Sequence, residues 1–132
     1  MKPLRCACLV AEQDGKLLLV RVRQNAYWYL PGGKIEDDES PEATLHRELH
    51  EELGITLTPG SLRYLYSVTG PAYGQAGEVE LICFAAAFRD APRPCSEISA
   101  VDWLPVDAFD QFAPAVRILC ESFLGATGRS VE

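Results

Sequence analysis

Apolar positions in this chain recur with two different periods, and the changes of period mark out its elements. Residues 5–11 (RCACLVA) and 16–23 (KLLLVRVR) are short apolar runs separated by Asp14-Gly15, a turn signal. They predict two strands, the second belonging to a hairpin. A period of two puts Leu17, Leu19, Arg21 and Arg23 on one face of that second strand. Residues 27–30 predict a short aromatic strand that ends at a loop, Pro31-Gly32-Gly33. From residue 40 the period lengthens. Ser40 has the chemistry of an N-cap and Pro41 the fixed φ of a first helical position. Glu39 and Glu42 flank that start, where the helix dipole favours anions. Leucines at 45, 49 and 53 carry the helix to Gly54, which stops it. Strands follow at 62–69 and 78–88, then a loop marked by Pro92 and Pro94, a strand at 98–104 and a helix at 114–124, with a frayed tail from Gly125. Strands interspersed with two helices predict an α/β fold with a mixed β-sheet between helices, in one domain over residues 1–132.

The first helix carries more than a core stripe. At about 100° per residue, with Glu48 at 0°, Glu51 falls near 300° and Glu52 near 40°, while Leu45, Leu49 and Leu53 fall near 60°, 100° and 140°. An acidic stripe therefore runs beside the leucine stripe. Like charges four residues apart cost a few tenths of a kcal/mol in an isolated helix. A bound divalent cation removes that cost, and Mg²⁺ takes hard oxygen ligands of this kind, between carboxylates and substrate phosphates. Charge is concentrated here. The chain has a formal net charge of −7, and residues 33–55 hold eight acids and two bases, so nearly all of it sits in this segment. Such a field attracts cations and repels polyanions, which argues against a nucleic-acid polymer as partner.

Composition adds limits. At 132 residues and 48% hydrophobic, the chain suits one core. No apolar run approaches the roughly 18 residues that span a bilayer, and no long apolar stretch followed by a small-residue cleavage site opens the chain, so neither a membrane nor a leader is expected. Five cysteines (Cys6, Cys8, Cys83, Cys95 and Cys120) include no C-x-x-C and fit buried, reduced thiols of a cytoplasmic protein. His46 and His50 lie near 160° and 200°, opposite Glu48. They also fail the His-Glu-x-x-His zinc pattern, because Glu48 follows His46 by two positions. They predict exposed helix histidines.

Residues 33–55, GKIEDDESPEATLHRELHEELGI, read Gly-x5-Glu-x7-Arg-Glu-apolar-x-Glu-Glu-x-Gly-apolar. This segment resembles the Nudix box, with Gly33, Glu39, Arg47, Glu48, Glu51, Glu52 and Gly54 at the fixed places and Leu49 and Ile55 at the apolar ones. The resemblance implies the Nudix α/β/α sandwich, with the box as a loop–helix–loop. It further implies hydrolysis of a phosphoanhydride with Mg²⁺ (or Mn²⁺) as cofactor. Glu48, Glu51 and Glu52 are then metal ligands, Glu48 also aiding activation of the attacking water. Arg47 orients the box glutamates, Glu39 and Gly33 support the site, and the carbonyl of Gly32 is a further ligand in some members. Glu97, in a Glu-Ile-x4-Trp stretch that ends at Trp103, matches a glutamate that binds metal or serves as general base in several members. Glu80 on the long strand is its rival. Members often pair, so a homodimer is compatible with the resemblance.

Substrate contacts are less determined. Arg21, Arg23 and Lys34 are candidate phosphate contacts or plain surface charge, and one of Tyr27, Trp28 and Tyr29 could stack on a base or serve as core. Pro71 and Tyr73 fall sixteen and eighteen residues after Ile55, where members acting on ADP-ribose and on diadenosine polyphosphates carry Pro and Tyr, but one Gly/Pro loop holds both. Asn25 is the single asparagine. Ala115 and Val116 stand where members that clean oxidised guanine triphosphate use Asn, which speaks against that substrate. The expected activity is a Mg²⁺-dependent pyrophosphohydrolase acting on a nucleoside diphosphate linked to another moiety, either a nucleoside triphosphate or a nucleotide sugar such as ADP-ribose. The alternatives are a catalytically weak nucleotide sensor on the same fold, which usually lacks box carboxylates, and an isomerase, for which neither Cys83 nor Cys95 sits in a motif.

Overall fold

A computed structural model describes residues 3–72 and 77–124. Tyr73 and the tail from Gly125 lie outside the described residues. The strands are β1 (Leu4–Leu9), β2 (Glu12–Gln13), β3 (Lys16–Val22), β4 (Gly32–Lys34), β5 (Arg63–Pro71), β6 (Glu78–Ala85) and β7 (Ile98–Pro105); the helices are α1 (Pro41–Leu53) and α2 (Pro114–Phe123). They form a mixed four-stranded sheet in the order β4-β1-β6-β5, with β1 and β6 parallel, and an antiparallel three-stranded sheet in the order β2-β3-β7.

The near-continuous apolar runs of β1 and β3 are explained by burial on both faces. On β1, Ala7 and Leu9 pack with Leu45, Leu49 and Leu53 of α1. Cys8, pointing the other way, packs with Val116, Leu119 and Cys120 of α2. On β3, Leu18 and Val20 join the α1 side, and Leu17 and Leu19 the α2 side. Sheets between two helices are what the pattern predicted and the α/β/α arrangement that the resemblance implied.

Helix α1 begins and ends as read from the sequence. Ser40 Oγ accepts from the Ala43 N–H at 3.1 Å, and Gly54 closes the helix in the left-handed region at φ 66°. Three expectations are corrected. The aromatic stretch 27–30 is no strand. Trp28 and Tyr29 make one bridge each, to Phe112 and to Val20, so the segment crosses between elements instead of extending a ladder. Gly32 and Gly33, read as loop, belong to β4, which pairs antiparallel with Cys6–Cys8 of β1. Strand β6 stops at Ala85, and Phe88 bridges Leu57 instead.

Candidate active site

Leu45, Leu49 and Leu53 are fully buried, and this fixes the rotation of α1 about its axis. Its acidic residues are thereby graded by depth. Glu52 is buried at 7% exposure, Glu48 is half-buried and Glu51 is exposed. Glu52 Oε1 accepts from the Gly32 N–H at 3.1 Å, which ties α1 to β4. Gly33 leaves room for Glu48: a Cβ at residue 33 would overlap the Glu48 carboxyl, with Oε2 at 2.6 Å.

Arg47 aims the acids. It donates from Nε to Glu39 Oε2 at 2.8 Å and from Nη2 to Glu39 Oε1 at 2.9 Å, a bidentate fork. Its Nη1 donates to Glu48 Oε2 at 2.9 Å and lies 3.5 Å from Glu51 Oε1. The buried Thr44 hydroxyl adds a bond to Glu39 Oε1 at 2.8 Å. Hydrogen bonds from Arg47 and then Thr44 lower the Glu39 carboxyl to about 2, so this anchor stays ionised.

The other acids are pushed the opposite way. Burial, opposed by the Gly32 N–H and reinforced by the charges of Glu48, Glu97 and Glu51, raises Glu52 to about 8. Burial also raises Glu48, with Glu51 and Glu97 adding to the shift against the pull of Arg47. Glu97, the residue before β7, adds to the rise of both. Its rival Glu80 is paired with Arg5 at 3.4 Å across the β1–β6 register.

These residues suit a hard dication by donor type: buried and half-buried carboxylate oxygens that repel one another and lack a full countercharge. Among the described residues, no three acidic, histidine or cysteine side chains converge on one point at metal-binding range. The reason is visible. Arg47 draws Glu48 and Glu51 toward itself, and Glu52 is turned to the Gly32 N–H.

Glu52, Gly32 and Gly33 also line an apolar cleft of about 210 Å³ that runs between the sheets to the start of α2. Its walls include Cys6, Tyr29, Leu81, Ala113 and Ala115. Of the three aromatics considered, Tyr29 is the one in that wall; Trp28 instead carries the Arg21 guanidinium 5.8 Å from its ring centroid. Arg21 also donates to the Asn25 carbonyl at 2.9 Å, so it is committed to its own turn. Arg23 lines a separate open depression with Ser96 and Glu97. Lys34 stands opposite Cys6 in register but does not line the cleft, whereas Pro71 does. His46 and His50 are exposed.

Sequence reasoning missed Thr44 and Cys6. Thr44 precedes Glu48 by one helical turn, so the wheel that placed the acids also placed it beside them. Cys6 has no local signal. The β1–β4 register sets it opposite Lys34, and burial, then the charge of Glu48, raises its thiol to about 11.

Comparison with known proteins agrees with this fold. The family model described as NUDIX domain matches residues 1–121. The MutT-like protein of Streptomyces ambofaciens is 38% identical over 116 residues, which are 86% of this chain and 72% of that protein. The CTP pyrophosphohydrolase of Escherichia coli (strain K12) is 44% identical over 64 residues, 46% of this chain and 47% of that protein, so that match spans less than half of the relative's length. The crystal structure of the MutT NUDIX hydrolase from Burkholderia pseudomallei superimposes with a TM-score of 0.75 at 28% identity, over 93% of this chain and 99% of that one.

Proposed function

This chain belongs to the NUDIX domain family of hydrolases, and from that premise we propose that it is a Mg²⁺- or Mn²⁺-dependent pyrophosphohydrolase of a nucleoside diphosphate linked to another moiety. The observation that carries this reading is a junction: Glu52, Gly32 and Gly33 belong both to the acidic group and to the wall of the apolar cleft. A flat base in the cleft starts its phosphate chain at the carboxylates. Such a cleft binds by apolar contact with few polar groups to fix orientation.

In this reading Glu48, Glu51 and Glu52 hold the cation, with the Gly32 carbonyl as a further oxygen beside them. Bound there, the dication neutralises phosphate oxygens and lowers the pKa of water. Arg47 and Glu39 keep the glutamates aimed. Glu97 accepts a proton from the attacking water, and Lys34 meets phosphate. Water adds to a phosphorus of the anhydride, the bridging P–O bond breaks, and a nucleoside triphosphate leaves as monophosphate and pyrophosphate. The triphosphate is favoured over a nucleotide sugar such as ADP-ribose because a relative is a CTP pyrophosphohydrolase. Ala113 and Ala115 at the start of α2 offer no side-chain amide to an oxidised guanine. The setting we propose is cytoplasmic, with free nucleotides as substrates. Among the described residues, no helix is long and apolar enough to cross a membrane.

The test is a panel at pH 7–9 with Mg²⁺ or Mn²⁺, covering CTP, the other nucleoside triphosphates, 8-oxo-dGTP, ADP-ribose and dinucleoside polyphosphates. Pyrophosphate release from a triphosphate is the expected result. Tight nucleotide binding with no phosphate product under any metal identifies a sensor and ends the hydrolase assignment. Within the site, Arg47→Lys keeps the charge but loses the fork to Glu39. We expect kcat to fall about 10–100-fold, as misplacement of reacting groups does. Stability should change little, since ion pairs reached by solvent contribute little. Steady-state kinetics with urea unfolding checks both.

A further inference from the structure

The turn that carries Glu97 is built onto the end of α1. The last carbonyls of a helix have no partner within it. Here the Leu53 carbonyl accepts from the Arg93 N–H at 3.0 Å and the Glu52 carbonyl from the Cys95 N–H at 2.9 Å. The segment 93–95 thus completes the helix that holds the acids. Gly54, just past the helix, lies against the Arg93 side chain. A Cβ at residue 54 would stand 2.8, 2.9 and 3.0 Å from Arg93 Cζ, Nη1 and Nη2. Three near-equal distances mean that the guanidinium lies flat on the glycine, at the end of the helix where the dipole favours a cation. Pro92 and Pro94 bracket Arg93 and restrict its backbone to extended conformations.

From Cys95 the chain reverses. The Ile98 N–H donates to the Cys95 carbonyl at 3.0 Å, and Ser96 sits in the left-handed region at φ 58°. Ser96 Oγ donates to Glu97 Oε1 at 3.0 Å, and the Glu97 carbonyl accepts from the Arg23 N–H at 2.8 Å. Each flank of Glu97 is therefore tied, one to α1 and one to the end of β3.

We propose that Arg93 is a positioning residue: with the two main-chain bonds to Leu53 and Glu52, its guanidinium makes segment 93–97 a rigid extension of α1 and presets the place of Glu97 relative to that helix. Glu97 then moves with the acidic helix and does not arrive on a closing loop. This inference rests on the hydrolase reading and on Glu97 taking part in it.

The test combines Arg93→Ala, Glu97→Gln, their double variant and amide hydrogen exchange. Arg93→Ala should lower kcat about 10-fold with KM within about twofold, the signature of a displaced reacting group. In the Glu97→Gln background, Arg93→Ala should cost nothing further, since residues that act as one unit are not additive. Exchange at the Cys95 amide should rise about 10-fold in Arg93→Ala while Leu49 in mid-helix is unmoved. Equal losses in both backgrounds, or unchanged exchange at Cys95, overturn the clamp and leave the hydrolase reading standing. Full activity in Glu97→Gln beside an inactive Glu52→Gln removes Glu97 from the reaction and the proposal with it. Absence of hydrolysis across the whole nucleotide panel is instead the failure of the hydrolase reading.

Discussion

Glu52→Gln is expected to lower kcat by about 10²–10³-fold, the loss that follows removal of one electrostatic stabiliser of a transition state, and yet to make the metal-free protein more stable at alkaline pH. The two effects have one origin. Glu52 is buried, and its carboxyl is raised from 4.5 to about 8 in the folded chain. Below about pH 4.5 both folded and unfolded chains carry the proton, and folding bears no penalty. Between about 4.5 and about 8 the unfolded chain ionises while the folded one holds its proton. Fewer protons on the unfolded chain mean that stability falls as pH rises. Above about 8 both are ionised and the loss is complete, on the order of 3–5 kcal/mol at 1.36 kcal/mol per pH unit. Glutamine does not titrate, and its amide oxygen still accepts the Gly32 N–H. Thermal unfolding in EDTA at pH 5 and pH 9 should show a steep decline for the native chain and a shallow one for the variant. Mg²⁺ at pH 9 should restore the native chain and leave the variant unmoved. A native chain equally stable at both pH values without metal would contradict the burial of an uncompensated acid at this position.

Helix α1 was legible from sequence because its determinants are local. The Ser40 cap, Pro41, the leucines every four residues and Gly54 each act within a turn of where they stand, and the acids inherit their positions from that periodicity. The resemblance implies that Arg47 orients the box glutamates and that Glu39 supports the site; the bidentate fork between these two side chains is what the structure adds. What was not legible depends on contacts remote in sequence. Pro31-Gly32-Gly33 has the composition of a loop, and nothing local reveals that Ala7 and Cys8 lie alongside. Arg21 shares a face with Leu17 and Leu19 in the period-two pattern, but its guanidinium folds back on Asn25 and Trp28, a capture set by the turn after β3. The attachment of residues 93–95 to α1 links segments about forty positions apart and leaves no periodic trace.

The two glycines at the start of the box should fail in different ways. Gly32 has φ 142°, a region that side chains rarely adopt, and a Cβ there would run into the Ala7 carbonyl oxygen while standing 2.9 Å from Cys8 Cα. Those are backbone atoms of the adjacent strand, so Gly32→Ala must push β4 off β1, a strain of several kcal/mol. Gly33 carries no such backbone demand. The atoms nearest its added Cβ all belong to the Glu48 side chain, with Oε2 at 2.6 Å and Cγ at 2.7 Å. A flexible carboxylate moves aside at small cost to folding, but it leaves the position in which Arg47 holds it. Gly33→Ala should therefore stay within a few degrees of the native Tm and lose about 10²-fold in kcat, the expected cost of roughly 1 Å of displacement in a reacting group. Gly32→Ala should lose stability first and activity only as a consequence of it. Melting curves with kcat on the same preparations separate the cases. Near-native activity in Gly33→Ala would mean that the Glu48 carboxylate works from somewhere other than the groove between β4 and α1, and the arrangement of acids argued from that groove would have to be redrawn.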